Sequence, residues 1–213
     1  MLTVHHLGIS QSDRIVWLCE ELEIPYAMVK YDRDPETRMA PAAYKALHPA
    51  GTAPVITDGD LVLGESGAII DYIIHTYGGG RFTLKPGDPG YADYLHWFHF
   101  ANSSMMPATM IDLIVGMLGV SVEDPTVGAL RARGDQAFAM VEDRLGKADY
   151  FAGSVFTAAD IIMLFPITTM RMFAPRDLAP YPNIRSYLQR IAARPAYQRA
   201  IKKADPDLPP VTQ

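Results

Sequence analysis

The stretch from Gly78 to Gly90, GGGRFTLKPGDPG, separates two parts of the chain that follow different hydrophobic periods. Three consecutive glycines and two prolines interrupt any regular element, so this segment reads as a linker between domains. Ahead of it, strand and helix patterns alternate. LTVHHL and YAMVKY read as short strands, and DRIVWLCEELEI carries Ile15, Trp17, Leu18 and Leu22 close to helical spacing. PAAYKALHP is a short helix bounded by prolines. PVIT and LVLG, joined across an Asp-Gly turn, form a hairpin. ESGAIIDYIIHTY follows as a helix that turns Ile69, Ile70, Ile73 and Ile74 inward. The order β-α-β-α-β-β-α predicts a small mixed sheet covered by helices.

Beyond the linker every pattern is helical. YADYLHWFHFANSSMMPATMIDLIVGML is a long amphipathic stretch expected to bend at Pro107, which has no N–H to give. A second charged helix runs through VEDPTVGALRARGDQAFAMVEDRLGKA. The apolar FTAADIIMLFPITTMRMF belongs at the centre of a bundle, opened by a Thr157/Asp160 form of the capping box. One or two last helices are interrupted at Pro195, and the tail DPDLPPVTQ reads as extended. The expected organisation is α+β in two domains: residues 1–78, a linker over 79–89, and an all-helical domain over 90–213.

Composition narrows the class. The 213 residues are 49% hydrophobic and 20% charged, ample for a buried core. A net charge of −5 without any basic run argues against a nucleic-acid partner. The apolar run IIMLFPI is far too short to span a bilayer, and MLTVHHLGIS lacks the basic start of a secretory signal. Cys19 is the single cysteine, which excludes an intrachain disulfide and points to a reducing compartment, hence the cytoplasm. Neither cysteines nor carboxylates are spaced as metal ligands, so no metal is expected.

Three places carry chemistry. In ISQSDRIVWL, Ser10 and Ser12 lie between the first strand and the first helix, where a helix N-terminus favours an anion such as a thiolate. The alternative is that Ser12 caps the helix and Ser10 belongs to the loop. In HPAGTAPVI, Pro54 opens a strand, and a cis Ala53–Pro54 bond would expose the Ala53 backbone to an extended peptide-like ligand. In LVLGESGAII, Glu65 offers a carboxylate to an ammonium, and Ser66 at a helix start offers donors to a carboxylate. Capping is the alternative there too. Together the three describe one ligand with a thiol, a peptide backbone and an amino-acid head. Glutathione has its parts in that order.

These motifs resemble the cytosolic glutathione S-transferase superfamily over essentially the whole chain. GTAPVITDGDLVLGESGAIIDYI is the most specific part. FTAADI resembles the family's helical capping box, and HHLGISQSDRIVWLCEELEIPY is similar to a bacterial and fungal branch with a serine-containing turn. The resemblance implies a thioredoxin-like first domain and a homodimer. It also implies a detoxifying enzyme that activates glutathione, its co-substrate, as a thiolate for attack on small hydrophobic electrophiles. Ser10 then corresponds to the thiolate-stabilising serine, four residues before Arg14, with Ser12 and Gln11 as contributors. Ala53, next to Pro54, corresponds to the partner of the cysteinyl unit, and Glu65 and Ser66 to the γ-glutamyl site. Thr52 stands where many members carry a basic residue or Gln for the glycyl carboxylate, which leaves that role to His48 or another basic side chain. Met105, Met106 and Met110 would wall the electrophile pocket, or else pack a core. Two other activities share these residues: a glutathione-dependent disulfide reductase or peroxidase, and a non-catalytic ligand-binding protein on the same fold.

Overall fold

A computed structural model describes residues 1–121 and 123–208. The described residues divide into two units: 1–83 together with 192–208, and 84–191. In the first unit the elements run β1 (Thr3–Leu7), α1 (Asp13–Leu22), β2 (Ala27–Tyr31), α2 (Ala42–Lys45), β3 (Val55–Asp58), β4 (Leu61–Gly64) and α3 (Ser66–Thr76). The sheet order is β2-β1-β3-β4, with β1 parallel to β2 and antiparallel to β3. The hairpin pairs Asp58 with Leu61 across Gly59, whose φ of 57° is the left-handed geometry that the Asp-Gly step supplies without a side-chain penalty.

The second unit holds α4 (Tyr91–Phe100), α5 (Met106–Leu118), α6 (Pro125–Lys147), α7 (Ala158–Ile167) and α8 (Pro182–Ala192). The break expected at Pro107 is a π-helical segment, Ala101–Met105, with Pro107 in the first turn of α5. The proline withholds an N–H from the turn ahead of it, and the irregularity therefore lies upstream. Every residue of α7 is buried. Asp160 fixes its start by accepting hydrogen bonds from the N–H groups of Thr157 (2.8 Å) and Phe151 (3.1 Å) and from the Tyr187 hydroxyl (3.2 Å).

The C-terminal boundary differs from the sequence reading. A last helix, α9 (Pro195–Ala204), follows Pro195, but it packs on α1 in the first unit rather than joining the helical set. Trp17 meets the Tyr197 ring edge-on at 5.3 Å between centroids. Arg194 grips Glu21 with two bonds of 2.6 and 2.8 Å, and Arg199 and Lys203 both reach Glu20. Burial works against the Glu20 charge, yet the hydrogen bonds from Lys203, Tyr26 and Arg199 outweigh it and hold the carboxyl below its ordinary range. With the sheet on one side and α9 on the other, α1 buries eight of its ten residues, Cys19 among them. Of the tail expected to be extended, residues 205–208 close a turn through Leu208 N–H on Asp205 O at 3.1 Å, and residues 209–213 lie outside those described.

Two expected outcomes follow from the helical unit. A Cβ at Gly90 (φ 80°) would lie 2.1 Å from the Ala152 carbonyl oxygen, so Gly90→Ala lowers urea stability by about 3 kcal/mol. The Asp160 carboxyl is pushed up to about 6 by burial, against the opposing pull of its hydrogen bonds. A folded value raised above 3.8 means that ionisation opposes folding: this stabilising contribution is complete below 3.8 and is lost as pH rises through 6. Urea titrations across that range should show wild type losing up to about 3 kcal/mol relative to Asp160→Asn.

Candidate functional site

The antiparallel register brings the three sequence motifs to one end of the sheet. His5 faces Val55 and Val55 faces Gly64. Continued by two residues, it sets Ala53 beside Leu7 at the end of β1, and continued by one it sets Pro54 beside Glu65. The Ala53–Pro54 bond is cis. Neither the N–H nor the C=O of Ala53 makes a hydrogen bond among the described residues, which leaves a peptide edge open at the sheet end.

Arg14 connects the pieces. Its guanidinium, 1% exposed, donates from Nη1 to Gln11 Oε1 at 2.9 Å and to Ser66 Oγ at 3.2 Å, bridging the starts of α1 and α3. Burial lowers its pKa to about 10, with Asp13 pulling the other way, so it stays charged at neutral pH. Two helix N-termini and one buried cation converge here, an environment that favours an anion.

Glu65 sits at the N-terminus of α3 but does not cap it with its side chain. Its backbone has φ 69° and ψ 117°, its carbonyl accepts from Ile69 N–H at 2.9 Å, and its exposed carboxylate has no protein partner among the described residues. Capping therefore does not explain this residue. The His48 ring lies against Gly64, where a Cβ would approach Cε1 to 3.2 Å; a glycine there keeps His48 next to Glu65. Thr52 is exposed, two residues before Pro54.

The turn between β1 and α1 is polar and closed. Ser10 Oγ donates to Leu7 O at 2.7 Å and lies 2.8 Å from Ser12 Oγ, which is fully buried and accepts the Leu7 N–H at 3.1 Å. Ser12 occupies the N-cap position of α1 without making a side-chain cap. Between the serines and β1, Ile9 has φ 53°, which is strained for a β-branched residue. It is clamped from both sides, its N–H on Asp205 Oδ2 (3.2 Å) and its C=O on Arg33 Nη2 (2.9 Å).

Comparisons with known proteins identify the family. The model of the glutathione S-transferase N-terminal domain matches residues 10–76, and that of the C-terminal domain matches residues 98–195. Glutathione S-transferase 3 of Schizosaccharomyces pombe is 34% identical, the alignment covering 96% of this chain and 88% of that one. The chain belongs to the glutathione S-transferase family. Glutathione S-transferase GstB of Escherichia coli is 27% identical over 88% of this chain and 91% of its own. The crystal structure of a glutathione S-transferase from Actinobacillus pleuropneumoniae superposes with a TM-score of 0.88, at 33% identity, covering 100% of this chain and 99% of that one. A glutathione transferase from Phanerochaete chrysosporium, solved with oxidised glutathione, shares the fold at 21% identity, with a TM-score of 0.75 and coverage of 95% and 94%.

In this family member the methionines divide. Met105 is fully buried, and Met106 packs with Phe165 and Met170, so both are core; Met110 is 36% exposed on α5. Sequence reasoning missed His6, Arg33 and Asp205 as parts of the first turn. Alternation in VHHL could have separated His5 from His6, but no local signal ties Asp205 to either. Because glycine lacks the Cβ that makes a positive φ costly, Glu65→Gly should leave thermal stability unchanged or raise it by about 1 kcal/mol, measured by calorimetry.

Proposed function

We propose that this chain is a glutathione transferase whose glutathione site is the Ser10–Ser12 turn, the Ala53 edge and the mouth of α3. The observation that carries the reading is Glu65, an exposed carboxylate without a protein partner held in a strained backbone beside a buried cation. Such strain at a helix mouth serves a ligand rather than the fold. The glutathione ammonium would pair with Glu65, and its α-carboxylate would meet Ser66 and the first N–H groups of α3. Its cysteinyl amide would extend along Ala53, and its glycyl carboxylate would lie near His48 and Thr52. The sulfur would then lie over the start of α1, beside Ser10 and Gln11.

A thiol there faces the positive end of α1 and the field of Arg14. Lowering its pKa by about two units from 8.5 raises the thiolate from a few per cent to most of the population at pH 7. The second substrate would be a small apolar electrophile. Positioning beside the thiolate supplies the rest of the acceleration. A homodimer in the cytoplasm completes the reading. Among the described residues no helix is long and apolar enough to cross a membrane, and no cluster could hold a metal. A reductase working through protein sulfur is disfavoured, since burial and then Glu20 push the Cys19 thiol far above its ordinary range.

Ultraviolet titration of bound glutathione tests the reading. Wild type should show a thiol pKa well below 8.5, and Ser10→Ala should raise it by about one unit or more. Glu65→Ala should weaken glutathione at least about tenfold, as expected for loss of a charge-assisted pair, with little change in melting temperature. No saturable glutathione binding by wild type would leave the non-catalytic reading.

A further inference from the structure

The turn that would hold the sulfur is backed by a buried chain of hydrogen bonds leading inward. Ser12 Oγ has the Leu7 N–H at 3.1 Å, Ser10 Oγ at 2.8 Å, the Leu7 carbonyl at 3.3 Å and Nδ1 of His6 at 2.9 Å. His6 and Ser12 are both 0% exposed. Nε2 of His6 lies 3.1 Å from Oδ2 of Asp205, a residue 199 positions away in sequence and 7% exposed. The line Asp205–His6–Ser12–Ser10 thus joins a buried carboxylate to the hydroxyl at the proposed sulfur position.

Proton counting gives the line a direction. A hydroxyl has one proton to donate and two lone pairs to accept with, and the Leu7 N–H takes one lone pair of Ser12. With Nε2–H donating to Asp205, a neutral His6 presents a bare Nδ1. Ser12 then donates to His6 and Ser10 to Ser12, sharing its proton with Leu7 O. Once Nδ1 carries a proton, both hydroxyls reverse, and the Ser10 proton no longer serves Ser12 and is shared between Leu7 O and a group outside. Ser12 itself cannot meet a substrate because it is fully enclosed.

We propose that His6, oriented by Asp205, takes up the proton of the bound thiol through Ser10 and Ser12. This rests on the glutathione reading above. The S–H bond breaks with its electron pair left on sulfur, and the proton passes to Ser10 Oγ. The Ser10 proton moves to Ser12 Oγ, and the Ser12 proton to Nδ1 of His6. One S–H is lost and one N–H is formed, giving a thiolate and an imidazolium, with no proton released to solvent. The imidazolium is held by Asp205, and the reversed chain leaves Ser10 donating to the thiolate. Asp205, His6 and Ser12 are positioning residues, because Ser10 alone meets the sulfur. The charged groups around them are few. Lys30 on β2 lies 3.7 Å from Asp205 Oδ1, and Arg33 bonds the carbonyls of Gly8 and Ile9. Asp32, Arg38 and Asp207 line the adjoining cavity. Arg14 is engaged with Gln11 and Ser66.

The test is nitrogen-15 NMR of His6 in the full-length wild-type protein, read with no ligand, with glutathione and with S-methylglutathione, which has no thiol proton. The expected result is a neutral Nε2–H imidazole alone and with S-methylglutathione, and an imidazolium with glutathione. In His6→Gln, the bound thiol pKa should rise by about one unit or more, and each thiolate formed should put one proton into solution. A wild-type His6 that stays neutral while thiolate absorbance appears overturns the relay and leaves the transferase reading standing. So does a folded His6→Gln with the wild-type thiol pKa. If neither glutathione nor its S-methyl derivative binds, the transferase reading falls first and the relay with it.

Discussion

The arrangement of the first unit depends on a single buried guanidinium. Arg14 is the second residue of α1, and its Nη1 reaches both Gln11, just ahead of its own helix, and Ser66 at the start of α3. A charge so deep is expensive to desolvate. Its position fixes the distance between two helix mouths, and the cation adds to the positive ends of both dipoles. The sheet supplies the floor; the guanidinium sets the spacing above it.

Strain is distributed around that spacing. Ile9 and Glu65 both adopt positive φ with side chains that make it costly, and they flank the two helix starts that Arg14 bridges. Each is over-determined by its surroundings. Asp205 and Arg33 hold the Ile9 peptide from opposite sides, while the β3–β4 register and the α3 hydrogen bond to Ile69 fix Glu65. Strained backbone that persists in this way marks where the fold gives up stability to present a polar group at a defined place. The contrast with Asp124, which caps α6 through Thr126 and Val127 with relaxed geometry, is instructive: there the acidic residue serves the helix alone.

Much of this was legible in the chain. The Asp-Gly hairpin, the linker glycines, the Thr157/Asp160 start of α7 and the cis Ala53–Pro54 bond are local events, written within a few residues of where they act. The common placement of Ser10, Ala53 and Glu65 was read from the parts of one ligand and from the family resemblance, not from a strand order. What escaped was non-local. Nothing in PAYQRAIKKA says that its partner is α1, since an amphipathic helix advertises an apolar face without naming the surface that covers it. The pairing of His6 with Asp205 depends on that return and was equally hidden. The π-helical segment before Pro107 escaped because a proline announces an interruption but not the way in which the chain absorbs it.

The return of α9 has a consequence for how such a chain comes into being. The first unit includes residues 192–208, so its sheet and α1 emerge from the ribosome long before the helix that covers Trp17 and the carboxylate that reaches His6. Until then α1 carries an uncovered aromatic face and two acidic side chains without their basic partners. The nascent first unit is therefore a waiting intermediate rather than a finished domain. A message truncated within the last two helices would encode every serine of the first turn and still yield a polypeptide without the carboxylate that holds that turn from one side.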